Sequence, residues 1–356
     1  MRILVDIVHP ADVHFFKYAI REWENRGHRV LITARDKDIA LHLLRAYGFE
    51  FKCISSQGRG LWGMASELVT RDLRLFRIAR IFRPDVLTGF TGISIAHVGK
   101  LLGKPSIVFY DTEFARLSNA LTYPLATLVC TPDCYNGQIG KKHLRFPGYK
   151  DLAYLHPHRF TPNPMIVREA GIDPESRFFI IRFVSWEAAH DLRERGLSYA
   201  NKIKFTEELA KYGRVFISSE GALPKELFSY RSSIGIDKMH HLMAFASLYI
   251  GESATMASEC AVLGVPAIFI ATTQRGYTTE QEKKYGLVFN FSDNEQEQAF
   301  DKMKELLAKH NLNKEWLRRR ERMLSEKVDV TAWMVEFIER MHYRTEQDCS
   351  SNKVDR

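Results

Sequence analysis

Three sets of side chains in this 356-residue chain have types and spacing that could do chemistry. The densest is Gly251-Glu252-Ser253-Ala254-Thr255-Met256-Ala257-Ser258-Glu259, which follows the apolar run Leu248 to Ile250 and opens a stretch of helical spacing. Small residues at Ser253 and Ala254 let a phosphate approach. Free backbone N–H groups, the Ser253 and Thr255 hydroxyls and the helix dipole can hold its charge. Glu259 lies one turn beyond Thr255 on the same face, where its carboxylate can accept hydrogen bonds from vicinal ribose hydroxyls, so the pattern suits a nucleoside diphosphate. The plain alternative is a Ser/Thr helix cap followed by a solvated Glu. The apolar neighbours Met256, Cys260 and Val262 disfavour it. The second set is Arg182, near the end of the run Phe178 to Phe183. Its guanidinium could offset negative charge developing on a leaving diphosphate, or pair structurally with Asp191 or Glu220. The third is His9, Asp12 and His14 in the first loop. An imidazole titrates near neutral pH and a nearby carboxylate can fix its tautomer, which makes His14 or Asp12 a candidate general base. The same three residues could bind a metal, but they lack a fourth ligand and a recognised motif, and no metal site is expected.

The elements that must hold these residues alternate regularly. Ile3 to Val8 reads as a buried strand, Val13 to Asn25 as a helix stopped by Gly27, Arg29 to Ala34 as a strand, Asp36 to Tyr47 as a helix and Phe49 to Ile54 as a strand. Strands separated by helices of this length imply parallel pairing with right-handed crossovers. The alternation continues through Asp85 to Thr88, Ile93 to Leu102, Ser106 to Tyr110 and Ala126 to Cys130. It fails between Phe146 and Pro164, where Pro147-Gly148, Pro157, Pro162 and Pro164 crowd together and an inter-domain linker is expected. It then restarts with strands at Phe178 to Phe183, Val215 to Ser218, Leu248 to Ile250 and Ala267 to Ile270, interleaved with helices. Three helices at about 298 to 309, 313 to 326 and 331 to 343 close the chain, followed by a polar tail expected to fray. The expectation is an α/β protein with two Rossmann-like parallel-sheet domains facing a cleft: residues 1–150, residues 165–335, and a C-terminal helix end and tail over 336–356. Ligands in such sheets bind beyond the carboxyl ends of the strands, which is where all three sets fall.

Composition narrows the partners. With 45% hydrophobic and 26% charged residues the chain is globular, and no apolar run approaches the roughly 20 residues needed to cross a bilayer. Asp6 follows only three apolar residues at the N-terminus, too few for a secretory signal, so a cytoplasmic location is expected. Five scattered cysteines suggest neither a disulfide framework nor zinc. Residues 1 to 160 carry 23 Lys and Arg against 14 Asp and Glu, and the remainder carries 28 against 29, so the first half holds the whole positive excess. Nucleic acid is not the expected partner, because the aromatics do not interleave with the basic residues on an evident strand. Arg71, Arg74, Arg77, Arg80 and Arg83 interleave with apolar residues in a way that suggests a membrane-surface helix. A step of three residues drifts by about 60° on an α-helix, however, so a solvated helix packed on the sheet is an equal reading. Gly58-Arg59-Gly60-Leu61-Trp62-Gly63 before it reads as an aromatic-bearing loop. Asp36-Lys37-Asp38 has the form of a metal-binding Asp-x-Asp but precedes a helix, where it reads as a cap.

At this point the sequence resembles known families. Gly251 to Ile268, with Leu263-Gly264-Val265-Pro266 and Thr272-Thr273-Gln274-Arg275, is similar to the nucleotide-sugar signature of GT-B-fold proteins, both hydrolysing UDP-N-acetylglucosamine 2-epimerases and lipid-II-forming glycosyltransferases. With Gly148 to Pro157 and Arg182 to Asp191, it resembles a mostly archaeal family of unknown function described as predicted glycosyltransferases. The resemblance implies that Ser253, Ala254 and Thr255 contact the diphosphate, that Glu259 binds the ribose, that Thr273 and Arg275 sit near the sugar or phosphate, and that the loop 233–238 meets the base. His190 and Asp191 are binding candidates or a helix cap. It also implies a glycosyltransferase that passes a sugar from a nucleoside-diphosphate donor to an acceptor in cell-surface glycan or glycolipid synthesis. The donor is a substrate and no cofactor is expected. A lipid-linked acceptor would place the protein at the membrane periphery. The alternatives are a nucleotide-sugar 2-epimerase and a non-catalytic nucleotide-sugar-binding protein. Against the epimerase, Thr88-Gly89-Phe90-Thr91-Gly92 offers no carboxylate, although Asp111 and Glu113 could fill another place.

Overall fold

A computed structural model describes residues 1–58, 60–184, 196–232 and 234–354. The chain divides into two compact units, one of Met1–Arg159 together with the chain from Val328 onward, the other of Phe160–Lys327.

The first unit alternates β1 (Arg2–Ile7), α1 (Pro10–Asn25), β2 (Arg29–Asp36), α2 (Ala40–Ala46), β3 (Lys52–Ser56), α3 (Gly60–Phe82), β4 (Val86–Phe90), α4 (Ile93–Leu102), β5 (Ser106–Phe109), α5 (Arg116–Thr122), β6 (Leu128–Pro132), β7 (His143–Phe146) and α6 (Leu152–Leu155). Its seven strands lie in the order β3-β2-β1-β4-β5-β6-β7, every pair parallel. The second unit runs α7 (Pro164–Glu169), β8 (Phe178–Phe183), α8 (Tyr199–Ala210), β9 (Arg214–Ser219), α9 (Met239–Met243), β10 (Leu248–Gly251), α10 (Ala254–Leu263), β11 (Ala267–Ile270), α11 (Gly276–Lys283), β12 (Val288–Phe291), α12 (Gln296–Ala308) and α13 (Leu312–Glu326). Its five parallel strands lie in the order β12-β11-β10-β8-β9. The last helix, α14 (Val330–Val354), belongs to the first unit.

Each strand order has one place where the chain leaves a central strand in both directions: between β1 and β4 in the first sheet, and between β8 and β10 in the second. Adjacent crossover loops diverge there, the place where open parallel sheets bind ligands beyond the carboxyl ends of their strands. His9, Asp12 and His14 follow β1, while Arg182 lies in β8 and Ser253 follows β10, so the residues marked by type in the sequence fall at these two points.

Local chemistry explains how α1 is set. His9 is its N-cap, Pro10 opens its first turn, and the Asp12 carboxylate reaches back to the His9 N–H in a capping box. Phe15, Phe16, Ala19, Ile20 and Trp23 are buried at helical spacing, and Phe15 packs against Phe90 and Phe109 of the sheet.

Four sequence expectations change. The C-terminal domain does not extend to 335: Val328 N donates to Pro147 O (2.9 Å), Thr331 Oγ1 donates to Ala153 O (2.7 Å), and Trp333 packs on Phe109 and Phe146. A helical period shows that a face is apolar but not which core it covers. The last helix does not end at about 343, since α14 runs from Val330 to Val354. Asp36-Lys37-Asp38 is not a cap, because Asp36 ends β2 and α2 begins at Ala40 without a side-chain cap. Residues 60–63 are the first turn of α3, so Trp62 rides on a helix.

The arginines of α3 also resolve. Arg71 is buried, donating to Asp6 Oδ1 of β1 (2.7 Å) and to Ser55 Oγ of β3 (2.8 Å), while Thr33 Oγ1 of β2 donates to the same Asp6 oxygen (2.6 Å). One guanidinium thus links α3 to three strands; Arg74 still reaches Ile54 O of β3 (2.9 Å), and drift around the helix carries Arg77 and Arg80 outward. Replacing Arg71 with Met leaves a carboxylate that is 1% exposed without its cation. The expected loss is about 3–5 kcal/mol, read as a lowered denaturant midpoint of the full chain, with partial recovery when Asp6→Asn is added.

Candidate functional site

In the second unit the site is built at the β8/β10 crossing. Gly251 pairs in register with Arg182, and the Glu252 N–H donates to Arg182 O (3.0 Å). The strands approach so closely that a Cβ on Gly251 would lie 2.6 Å from Arg182 O and 2.7 Å from the Tyr249 hydroxyl, which is why glycine precedes the turn. Ser253 then caps α10, its hydroxyl accepting from Met256 N (3.3 Å), and Tyr249 Oη donates to Ser253 O (3.1 Å). The cap of the plain sequence alternative is therefore real, but its solvated glutamate is not. Glu259 is 5% exposed and lies 2.9 Å from His240 Nε2 of α9, itself buried. A carboxylate held this way inside the unit is oriented, and its partner His240 was not marked in the sequence because the two are 19 residues apart.

Arg182 donates to Ser218 Oγ (2.5 Å) and pairs with Glu220, so the structural alternative named for it, an ion pair, forms. Its Nε is buried without a hydrogen bond, leaving one donor uncommitted. Glu252, given no role in the sequence reading, accepts from Val184 N and Leu197 N, both at 2.7 Å, and lies 3.6 Å from Lys202 Nζ. Burial raises its pKa against these partners. It anchors the backbone on either side of residues 185–195. Thr273 and Arg275 follow β11, next to β10. Arg275 donates to Thr273 O (3.1 Å) and to the Thr273 hydroxyl, and it immediately precedes α11, an element the sequence reading left out, without a side-chain cap. Gln281 of α11 donates to Ser258 Oγ of α10 (2.7 Å), tying the two helices. His190, Asp191 and Ser233 lie outside the described residues.

In the first unit the β1/β4 point holds Asp12 and His14, both buried. Asp12 does not fix the tautomer of His14: its Oδ2 accepts from Val8 N (3.0 Å) and His9 N (2.9 Å), and the Tyr47 hydroxyl lies 3.2 Å from His14 Nδ1 instead. A carboxylate at the third position of a helix is recruited by the backbone donors of the cap. His9 Nδ1 likewise accepts from Ala11 N (3.2 Å), which commits atoms that a metal would need. Burial pushes the Asp12 carboxyl from 3.8 up to about 7, against the two N–H donors and the ammonium of Lys150. Beside it is a pair the sequence did not flag as one: Lys150 Nζ lies 3.1 Å from Asp111 Oδ2, both buried, with the ammonium 5.4 Å from the Phe90 ring centre. Asp111 follows β5 and Lys150 follows β7, 39 positions apart, so no local spacing announces them. Elsewhere in this unit His156, His158 and Asp329 approach as metal-type side chains, but Arg159 Nε donates to Asp329 (2.7 Å) and supplies the cation there.

Two Rossmann-like parallel-sheet domains, each with its marked residues at the switch point, define a protein of GT-B-like architecture. Residues 1–147 match the model of a family described as protein of unknown function, DUF354. An uncharacterized protein of Methanocaldococcus jannaschii is 24% identical over 286 residues, 75% of this chain and 80% of that one. Among solved structures, the UDP-GlcNAc 2-epimerase of Neisseria meningitidis bound to UDP-GlcNAc is similar at 12% identity and TM-score 0.67, covering 96% of this chain and 100% of that chain. The UDP-GlcNAc 2-epimerase of M. jannaschii in complex with UDP-GlcNAc and UDP follows at 14% and 0.64, covering 87% and 93%. MurG of Acinetobacter baumannii is similar at 15% and 0.58, covering 96% and 100%.

The raised Asp12 pKa has a consequence for stability. The folded state binds this proton more tightly than the unfolded chain, so the contribution is complete below about pH 4 and is lost as pH rises through about 7. Asp12→Asn removes that dependence. The stability of the wild type relative to the variant is expected to fall between pH 4 and pH 8 by up to about 4 kcal/mol, measured by denaturant titration at both pH values.

Proposed function

We propose that the protein is a glycosyltransferase of the GT-B type that uses a nucleoside-diphosphate sugar. The observation that carries the reading is the buried Glu259–His240 pair one turn inside a Ser253-capped helix at the β8/β10 switch point. This places a fixed carboxylate acceptor behind a helix N-terminus that can receive phosphate. In this reading Ser253, Ala254 and Thr255 line the diphosphate and Glu259 accepts from the ribose hydroxyls. Thr273 and Arg275 sit near the sugar or phosphate. The uncommitted Nε of Arg182 faces charge developing on the departing diphosphate. His14 takes the proton of the acceptor hydroxyl as its oxygen bonds to the anomeric carbon and the bond from that carbon to the diphosphate breaks. Asp12 keeps α1 in place so that His14 is presented correctly. No metal is needed, since cationic and dipolar groups offset the charge. The similarity to enzymes solved with UDP-GlcNAc or UDP supports a UDP-sugar as donor. The sequence resemblance to lipid-II-forming glycosyltransferases supports an acceptor for cell-surface glycan or glycolipid synthesis, in keeping with the fold shared with MurG.

A second reading, a UDP-N-acetylglucosamine 2-epimerase, is favoured by one observation. The buried carboxylates of the first unit include Asp12 and Asp111, the latter paired with Lys150. Epimerisation needs proton-transferring groups there. Product analysis separates the two: an epimerase alters a UDP-sugar without an acceptor.

The test begins with calorimetric binding of UDP-, GDP-, CMP- and dTDP-sugars. One donor is expected to bind, with affinity about tenfold weaker in Glu259→Gln, in keeping with a lost charge-assisted hydrogen bond. His14→Ala is expected to retain donor binding and lose about 10²–10⁴-fold in turnover, with turnover unaffected by chelators. Absence of binding by any donor, with the protein folded, removes the reading.

A further inference from the structure

We propose that the outer face of α3, together with the exposed ends of α4 and α5, docks on an anionic lipid bilayer. The proposal concerns where the protein sits and stands independently of the transferase reading.

The 23 residues of α3 form a helix of about 35 Å. At 100° per residue, Trp62, Ser66, Val69, Leu73, Arg77 and Arg80 fall within roughly 80° of arc, and all six are exposed. Trp62 is 91% exposed and Ile81, at the edge of the stripe, 85%. Arg71 points the opposite way into the Asp6 pair, so the stripe is the face away from the sheet. An aromatic and two aliphatic side chains stand at one end of this line and two guanidinium groups at the other, with Arg83 exposed just beyond. A face packed on a protein core would not carry the arginines, and a merely solvated face would not carry Trp62, Val69 and Leu73.

The charge selects the occupant. The only acids of α3 are Glu67 and Asp72, and both are taken. Glu67 is held by Arg35 at 2.6 and 2.5 Å and by Gly58 N at 2.8 Å, and Asp72 lies 2.7 Å from His97 Nδ1. What the helix offers outward is therefore positive and apolar. The neighbouring helices of the same layer continue the theme: Leu101 is exposed beside Lys100 in α4, and Leu117 beside Arg116 in α5. No helix among the described residues is long and apolar enough to cross a membrane, so this surface would lie in the interface plane. There, apolar side chains enter the acyl boundary and arginines meet anionic headgroups.

The test is co-sedimentation of the full chain with vesicles of phosphatidylcholine alone, or of phosphatidylcholine mixed with phosphatidylglycerol, at low and high salt. Binding is expected to the mixed vesicles only and to weaken with salt. Arg77→Gln and Arg80→Gln should each weaken it by about fivefold. Val69→Ser and Leu73→Ser should weaken it at both salt concentrations, and a blue shift of tryptophan emission on binding should shrink in Trp62→Ser. All of these side chains are exposed, and circular dichroism checks that the variants fold. The proposal is overturned if the protein ignores mixed vesicles, binds neutral ones equally, or binds without regard to these substitutions. It is also overturned if the wild type forms a dimer that Leu73→Ser dissociates, which would make the face an interface between copies.

Discussion

Parallel strands cannot be joined by tight hairpins, and nearly everything functional about this protein follows from that constraint. Each successive pair of strands requires a crossover, so every strand-to-helix loop emerges at the same carboxyl edge of its sheet. Because β1 and β8 each have the chain leaving on both sides, one pair of loops in each unit diverges. The residues with chemical potential sit there. They did not have to be brought together by long-range coincidence: the strand order carried them.

The loops bring polar side chains into surroundings the sheets make apolar, and the buried acids have dedicated partners. Asp6 has Arg71 and Thr33, Asp12 has two backbone donors, Asp111 has Lys150, Glu252 has two backbone donors and Lys202, and Glu259 has His240. An unpartnered carboxylate in such places would be costly. These pairs fix the backbone at the strand ends and hold the side chains in single orientations. The same principle limits the first-loop reading: a carboxylate at the third position of α1 is committed to the cap, so it supports the placement of His14 through backbone geometry and not through its ring.

Much of the fold was legible because periodicity is local. The strands Phe178–Phe183 and Ala267–Ile270 and the helix Ile93–Leu102 have the bounds read from sequence. What periodicity missed includes the short helices α5, α6 and α7, the strands β7 and β12, α11 and the true start of α3. β7 and β12 are edge strands with one buried residue each, so they lack the continuous apolar run that marks Ala267–Ile270, and α11 is polar along much of its length, with Glu280, Glu282 and Lys283 in its second half. Of the candidate site, the strand-turn-helix frame around Ser253 was legible, while the Arg182–Glu220 pair is the structural alternative to the charge-offsetting role read for Arg182. His240, Lys150 and Tyr47 as partners of Glu259, Asp111 and His14 were not, since each is set by packing between elements distant in the chain.

The division between sequence and tertiary structure is therefore physical. Residue type and spacing by themselves determined two alternating α/β halves, a basic first half and the positions of the chemically capable loops, because each depends on neighbours along the chain. Only the tertiary structure decided that α14 returns to the first unit, that Arg71 turns inward while Arg77 and Arg80 turn outward, and that Glu259 is buried against a histidine. A helix carries its apolar stripe in its sequence, but the surface that the stripe meets, and the partner a buried charge finds, exist only once the strands have been ordered.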